Sequence, residues 1–203
     1  VMNVFSDIKQ AVILAGGIGS RMQPLTDSIP KPMIEINDRP FLEYLVEQLR
    51  DAGIENILIL LGYLPEKVIE HFQDGTKFGV NIDYSVSDVG NQTGRRLKIA
   101  QPKISGDFLL MYCDNYWPMR PMEMSRQFHD AVTDIQLTVY RNADNYTQSN
   151  LQVSDGHIIA YDKSRKSPSL QGVEIGYALV RKRVLGMLPK DENVSFERFV
   201  FQK

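Results

Sequence analysis

The sequence predicts an α/β protein: a Rossmann-like, mostly parallel mixed sheet flanked by helices, with a small antiparallel lid. Three observations predict it. Short apolar runs alternate with amphipathic segments, the pattern of strand–helix–strand units. The first apolar run, Ala11-Val12-Ile13-Leu14, empties into a glycine-rich loop. The stretch 150–180 breaks the alternation and reads as short antiparallel strands. A chain of 203 residues suits one α/β domain with a sizeable core.

After the glycine loop, Pro40 can open a helix at its first position. Phe41, Leu42, Leu45, Val46 and Leu49 recur at helical spacing, and Gly53 fits a stop. Asn56 to Leu61 reads as a buried strand, 65–72 as a short helix begun by Pro65, and Val80 to Ser85 as a strand after an Asp74-Gly75 turn. A helix is expected from Thr93 to Ala100. Asp107 to Tyr112 is another apolar strand, followed by a helix from Pro121 to Ala131 and a strand from Ile135 to Tyr140. Leu151 to Val153, a Ser154-Asp155-Gly156 turn and Ile158 to Tyr161 form a hairpin pattern. Read together with the strand Val173 to Val180, it makes the lid. The stretches 181–188 and 195 onward read as helical.

Basic and acidic residues number 23 and 25, so net charge gives no reason to expect nucleic acid or an anionic membrane as partner. No apolar run approaches a membrane span and no signal-peptide pattern opens the chain. The single cysteine, Cys113, excludes an internal disulfide and a cysteine-rich zinc site. A soluble, cytoplasmic protein is the expectation, and a homo-oligomer is compatible with it. Beside Asp114 the Cys113 thiolate is disfavoured, so Cys113 reads as a small apolar residue at a strand end. His71, His129 and His157 stand singly, without metal-ligand spacing.

The glycine loop carries the most chemical information. Gly16, Gly17 and Gly19 strip side chains from a turn, so that backbone N–H groups can approach an anion. Arg21 and Lys31 put two cations on the same loop system, and Pro30 and Pro32 fix the backbone around Lys31. This is a place to hold a polyphosphate. It is not a P-loop, which needs two glycines five apart followed by Lys and Ser or Thr. Met22 stands where a dinucleotide fingerprint needs its third glycine. Asp114 follows the apolar strand Phe108-Leu109-Leu110-Met111-Tyr112, and ligands gather at strand carboxyl ends in such sheets. A carboxylate there can hold Mg²⁺ together with phosphate oxygens. It can equally cap Tyr116 or Trp117 through an Asx-turn.

The string Gly-Gly-x-Gly-Ser-Arg from Gly16 to Arg21, then Pro24-Leu25-Thr26, then Pro30-Lys31-Pro32-Met33, resembles the signature of the sugar-phosphate nucleotidyltransferases, the enzymes that make NDP-sugars. The family loop usually has Thr where Ser20 stands. The resemblance runs from about Gln10 to Lys203 and implies a nucleotide-binding core over about 8–140 and a sugar-phosphate-binding portion over about 141–203, in one nucleotidyltransferase domain. It implies that Leu14, Ala15, Gly16, Gly17, Gly19 and Ser20 bind the nucleotide. It makes Arg21, Lys31 and Asp114 catalytic, with Asp114, in the string Cys113-Asp114-Asn115, the Mg²⁺ ligand. Asp162-Lys163-Ser164 matches the acid and lysine of a Glu-Lys-Pro string whose lysine grips the sugar phosphate. A solvated hairpin end is the alternative. Glu174 stands where related enzymes often have Asn-Ala-Gly, and a Glu there could bind sugar hydroxyls, although Glu174-Ile175-Gly176 departs from that string.

Gln92 and Thr93 fall on the base-reading segment, where Arg95 and Arg96 replace the family's small residues. As Thr-Gly-x-Arg-Leu-Lys this segment is similar to the cytidylyltransferase branch, while 39–44 and 74–80 are similar to heptose-1-phosphate guanylyltransferases, so CTP and GTP both stay open. The two arginines otherwise read as an exposed helix face. Family members carry a second metal-binding Asp beyond a segment like Phe196-Glu197-Arg198-Phe199. Either the natural carboxyl end lies beyond Lys203 or that ligand is lacking.

The implied reaction joins an NTP and a sugar 1-phosphate into an NDP-sugar, releasing pyrophosphate, in surface polysaccharide or glycoconjugate synthesis. The roles imply that Arg21→Ala and Asp114→Asn fold but scarcely turn over. Two other classes fit less of the sequence. A non-catalytic nucleotide or sugar-phosphate sensor would bind NTP without releasing pyrophosphate. A glycosyltransferase consuming an NDP-sugar commonly has an Asp-x-Asp motif, and none follows Tyr112.

Overall fold

The computed structural model describes residues 5 and 7–201. In chain order the elements are β1 (Gln10–Ala15), β2 (Glu35–Ile36), β3 (Arg39–Pro40), α1 (Phe41–Asp51), β4 (Asn56–Leu61), α2 (Pro65–Phe72), β5 (Asn81–Val86), α3 (Thr93–Ala100), β6 (Phe108–Tyr112), α4 (Pro121–Asp130), β7 (Ile135–Tyr140), β8 (Leu151–Ser154), β9 (His157–Tyr161) and β10 (Val173–Val180). Short 3-10 turns cover Ser20–Met22, Lys31–Met33 and Lys182–Met187, and a single π-type turn covers Glu197–Phe201.

The main sheet has six strands in the order β5-β4-β1-β6-β10-β7. β5, β4, β1 and β6 run parallel, and β10 is antiparallel to both β6 and β7. Alternation along each strand explains the two apolar layers. Ala11, Ile13 and Ala15 of β1 join Leu42, Leu45, Val46 and Leu49 of α1 and Val68 and Phe72 of α2 on one face. Val12 and Leu14 join Leu97 and Ala100 of α3, Val184, Leu185 and Phe196 on the other. Each such fully buried aliphatic side chain contributes about 1.5–3 kcal/mol of transfer free energy.

One expectation is corrected. β10 does not belong to the lid but completes the main sheet beside β6. Its last residues, Gly176 to Val180, are all buried, so both faces of the strand need cover, which a two-stranded ribbon cannot give. The hairpin β8–β9 is antiparallel as expected, and its base is tied to β10 by reciprocal backbone bonds between Leu151 and Gly172.

The sheet order places a switch point between β1 and β6. From β1 the chain moves outward through β4 and β5, then returns to the other side of β1 with β6. The connections leaving β1 and β6 therefore part in opposite directions and open a crevice at their carboxyl ends. The glycine loop and Asp114 stand there.

Candidate active site at the strand carboxyl ends

β1 and β6 remain in contact past their last paired residues, since Cys113 N donates to Leu14 O at 3.3 Å. Burial, joined by the Asp114 carboxylate, pushes the Cys113 thiol up to about 12, consistent with an inert strand-end residue. Beyond Ala15 the chain turns sharply. Gly19 has φ +71°, and an added Cβ would lie 3.1 Å from Thr26 Cγ2 and 3.2 Å from Lys31 Cβ. The turn is locked by Met22 N donating to Gly19 O and by Thr26 Oγ1 donating to the same carbonyl at 3.1 Å. Pro30 leads into the 3-10 turn of Lys31, and Pro32 is buried beneath it.

This packing carries Lys31 across to β6. Its Nζ donates to Asp114 Oδ2 at 2.6 Å, with the two side chains 26% and 36% exposed. The Asp114 carboxylate thus turns to Lys31, while Trp117 N donates to Tyr177 OH, which leaves no Asx-turn to that amide. Arg21 lies exposed on the Ser20–Met22 turn, with no hydrogen bond or ion pair among the described residues. Gly16 is buried, Gly17 and Ser20 are exposed, and Leu14 and Ala15 finish β1.

A second cluster adjoins the first through Asn115, whose Nδ2 donates to Ile175 O at 3.0 Å. Here β10 is irregular between Glu174 and Ala178, and Gly176 takes φ +83°. The Gly176 N–H donates to Glu174 Oε1, and Glu174 N donates to Asn150 Oδ1 at the hairpin base. The Glu174 carboxyl is pushed up to about 7, by burial first and then by the Glu197 and Asp114 carboxylates, against the Gly176 amide and Lys163. An unfolded glutamate releases its proton near 4.5, whereas this one keeps it to about 7, so the group lowers stability as pH rises between those values. Glu174→Gln is therefore expected to unfold like wild type near pH 4 and to be more stable by roughly 1–3 kcal/mol at pH 8. Urea denaturation at both pH values checks this, and equal stability at pH 8 would contradict the burial of a charge there.

Lys163 follows Asp162, whose carboxylate accepts from Ser164, Lys166 and Ser167 and is held far below its ordinary value, first by the Ser164 hydroxyl. The turn so built presents Lys163 to Glu197 at 3.6 Å. Glu197 is buried and was not singled out from sequence. It accepts from Thr93 Oγ1 at 2.9 Å and from the hydroxyls of Ser195 and Tyr112. Burial opposes its ionisation, yet the Ser195 and Tyr112 hydroxyls and Lys163 carry its pKa below the ordinary value.

The segment expected to face the base, Gln92 and Thr93, lies at the start of α3 and is engaged by residues 193–197. Gln92 N donates to Asn193 Oδ1, Gly94 N and Arg95 N to Val194 O, and Phe196 N to Thr93 Oγ1. The exposed-face reading of the two arginines fails for Arg96, which is 4% exposed. The signal was available in the helical period, because Arg96 falls on the buried face with Leu97 and Ala100.

No cluster of three or more His, Cys, Asp or Glu suited to a metal occurs among the described residues. Asp114 is instead a single carboxylate, 36% exposed and paired through Oδ2 with the Lys31 ammonium. One carboxylate completed by substrate phosphates and water is a donor set that a hard divalent cation accepts.

The glycine turn and the paired lysine and aspartate stand together at the carboxyl ends of parallel strands in a mixed α/β sheet. The chain belongs to the nucleotidyl transferase family, whose profile matches residues 10–149. It is 28% identical over 191 residues to a D-glycero-alpha-D-manno-heptose 1-phosphate guanylyltransferase of Campylobacter jejuni, covering 94% of this chain and 84% of that one. It is 27% identical to a mannose-1-phosphate guanylyltransferase of Mycobacterium tuberculosis, again over 94% of this chain but only 54% of the relative's length. Its fold matches the inositol-1-phosphate CTP transferase of T. maritima with a TM-score of 0.77 at 19% identity, covering 97% of this chain and 81% of that one. Among the described residues no helix is long and apolar enough to cross a membrane.

Proposed function

We propose that this protein is a sugar-1-phosphate nucleotidyltransferase that takes an NTP and a sugar 1-phosphate and yields an NDP-sugar and pyrophosphate. The observation that carries the reading is the meeting of Lys31 and Asp114 beside a bare glycine turn at the sheet's switch point. An oxygen of the sugar phosphate attacks the α-phosphorus in line, the bond to the bridging α–β oxygen breaks, and its electrons leave with pyrophosphate. The nucleophile is already an anion, so the protein need supply only position and charge.

In this reading the Gly16–Gly19 backbone, with Ser20, cradles the triphosphate. Arg21 meets the departing pyrophosphate, Lys31 bridges the α-phosphate and the incoming phosphate, and Lys163 holds the latter. Glu174 accepts from sugar hydroxyls. Gln92 and Thr93 lie toward the base, and Asp114 holds Mg²⁺. The ion, when bound, offsets charge on the α-phosphate. The two curated relatives named above, each aligned over 94% of this chain, are guanylyltransferases of manno-configured sugar phosphates, which favours GTP over CTP here.

The deciding assay incubates the protein with each NTP, Mg²⁺ and mannose, glucose or heptose 1-phosphate, and follows pyrophosphate. Release that requires both substrates is expected. Tight NTP binding with no pyrophosphate under any pairing would favour a sensor instead.

A further inference from the structure

The Arg96 guanidinium is sealed directly beneath the glycine turn. It donates from Nη1 to Leu61 O at 2.8 Å and Ser87 Oγ at 3.0 Å, and from Nη2 to Gly16 O and Val89 O, both at 3.0 Å. All four acceptors are neutral, and among the described residues no carboxylate forms an ion pair with it. Asp88 is the acid whose charge reaches it, but Asp88 is exposed and accepts from Gly90 N. Two glycines make room for it. A Cβ on Gly16 would lie 2.4 Å from the guanidinium, and one on Gly62 would lie 2.5 Å from Nη1.

Two consequences follow for the turn above. The peptide joining Gly16 to Gly17 is held with its carbonyl drawn down onto Arg96, and Tyr63 N donates to the same oxygen at 3.3 Å. In a trans peptide the N–H points opposite to the carbonyl, so the Gly17 amide is turned away from Arg96, and Gly17 is exposed. A buried cation with only neutral partners is also incompletely compensated, and an anion on the far side of that peptide completes the compensation.

We propose that Arg96 is a positioning residue of the nucleotide site: it fixes the Gly16–Gly17 peptide with its amide facing the polyphosphate and places a permanent positive charge beneath it. The inference rests on the NTP reading above. It assigns to this chain's arginine a part of phosphate binding rather than a place on the helix surface.

The test compares wild type, Arg96→Lys, Arg96→Gln and Gly62→Ala for calorimetric binding of GTP and of guanosine, and for the KM of each substrate, with thermal melts alongside. Arg96→Gln is expected to weaken GTP binding by about tenfold, the order of one hydrogen bond to a charged group, as the Gly17 amide loses its fixed aim, while guanosine binding and the sugar-phosphate KM change less than about twofold. Arg96→Lys, which keeps the charge, is expected to recover most of the loss. Gly62→Ala would set a Cβ 2.5 Å from Nη1 and 2.6 Å from Gly16 O, so it disturbs the guanidinium and the peptide together and is expected to weaken GTP selectively. If Arg96→Gln does not fold, Arg96→Lys is read directly against wild type, where a GTP loss exceeding the guanosine loss supports the proposal and equal losses overturn it. Folded variants that bind GTP like wild type overturn the proposal, as does equal weakening toward GTP and guanosine, which marks a merely structural arginine. A wild-type protein that binds no NTP at all overturns the functional reading as well, and is thereby distinguished from failure of this inference alone.

Discussion

Asp114→Asn is expected to lower kcat on the order of 10²–10³-fold in a protein that still folds. The amide has the size of the carboxylate and can still accept one hydrogen bond from Lys31, so the local geometry survives. What goes is the negative charge at the carboxyl end of β6. Without it Lys31, only 26% exposed, loses its counter-charge, and the carboxylate proposed above to hold the divalent cation is gone. The cost to stability is small, because a pair whose members are 26% and 36% exposed is largely screened and contributes at most about 1 kcal/mol. The expected signature is therefore a melting temperature within a few degrees of wild type beside a collapse of pyrophosphate release. Turnover near the wild-type level would remove Asp114 from the chemistry. A melting temperature lowered by about ten degrees or more, or no cooperative melt, would instead make the pair a structural one.

The fold was legible because its strands obey simple periodicities. Asn56–Leu61 and Phe108–Tyr112 are near-continuous apolar runs, as parallel strands covered on both faces must be. Pro65 and Pro121 mark helix starts, since a missing N–H is no loss at a first helical position. What a single sequence does not carry is partnership between distant segments. Val173–Val180 reads as a strand, but whether it pairs with the hairpin or with β6 depends on which faces need cover. The phosphate half of the candidate site was legible for the same reason that it is local: glycines, cations and prolines within one loop. The other half is built from residues far apart in sequence. Glu197 meets Thr93 across a separation of 104 residues, and Arg96 meets Gly16 across 80. No spacing rule reaches that far, although the apolar stripe of α3 already placed Arg96 inward.

Glu197→Ala is expected to cost about 2–4 kcal/mol of folding stability, the largest loss of any single change considered, from the hydroxyl donors it leaves unmet rather than from Lys163, which is half exposed. The buried carboxylate gathers hydroxyls from Thr93 on α3, Tyr112 on β6 and Ser195 on the final segment, and faces Lys163 beyond the hairpin. Alanine leaves those groups with unmet donors at a buried site. Glu197→Gln keeps an acceptor oxygen but presents an amide to some of the same donors, so an intermediate loss is expected. The two are separated by pH. Because the folded carboxyl titrates below its ordinary 4.5, its contribution is fully present above that value and fades as pH falls through the lowered one. Urea denaturation at pH 7 should thus rank wild type above Gln above Ala, with the wild-type lead over Gln shrinking at pH 4 and below. A lead over Gln that stayed constant with pH would mean that shape, and not charge, holds the joint together. Wild-type stability in the Ala variant would mean that α3, β6 and the hairpin are fixed without it.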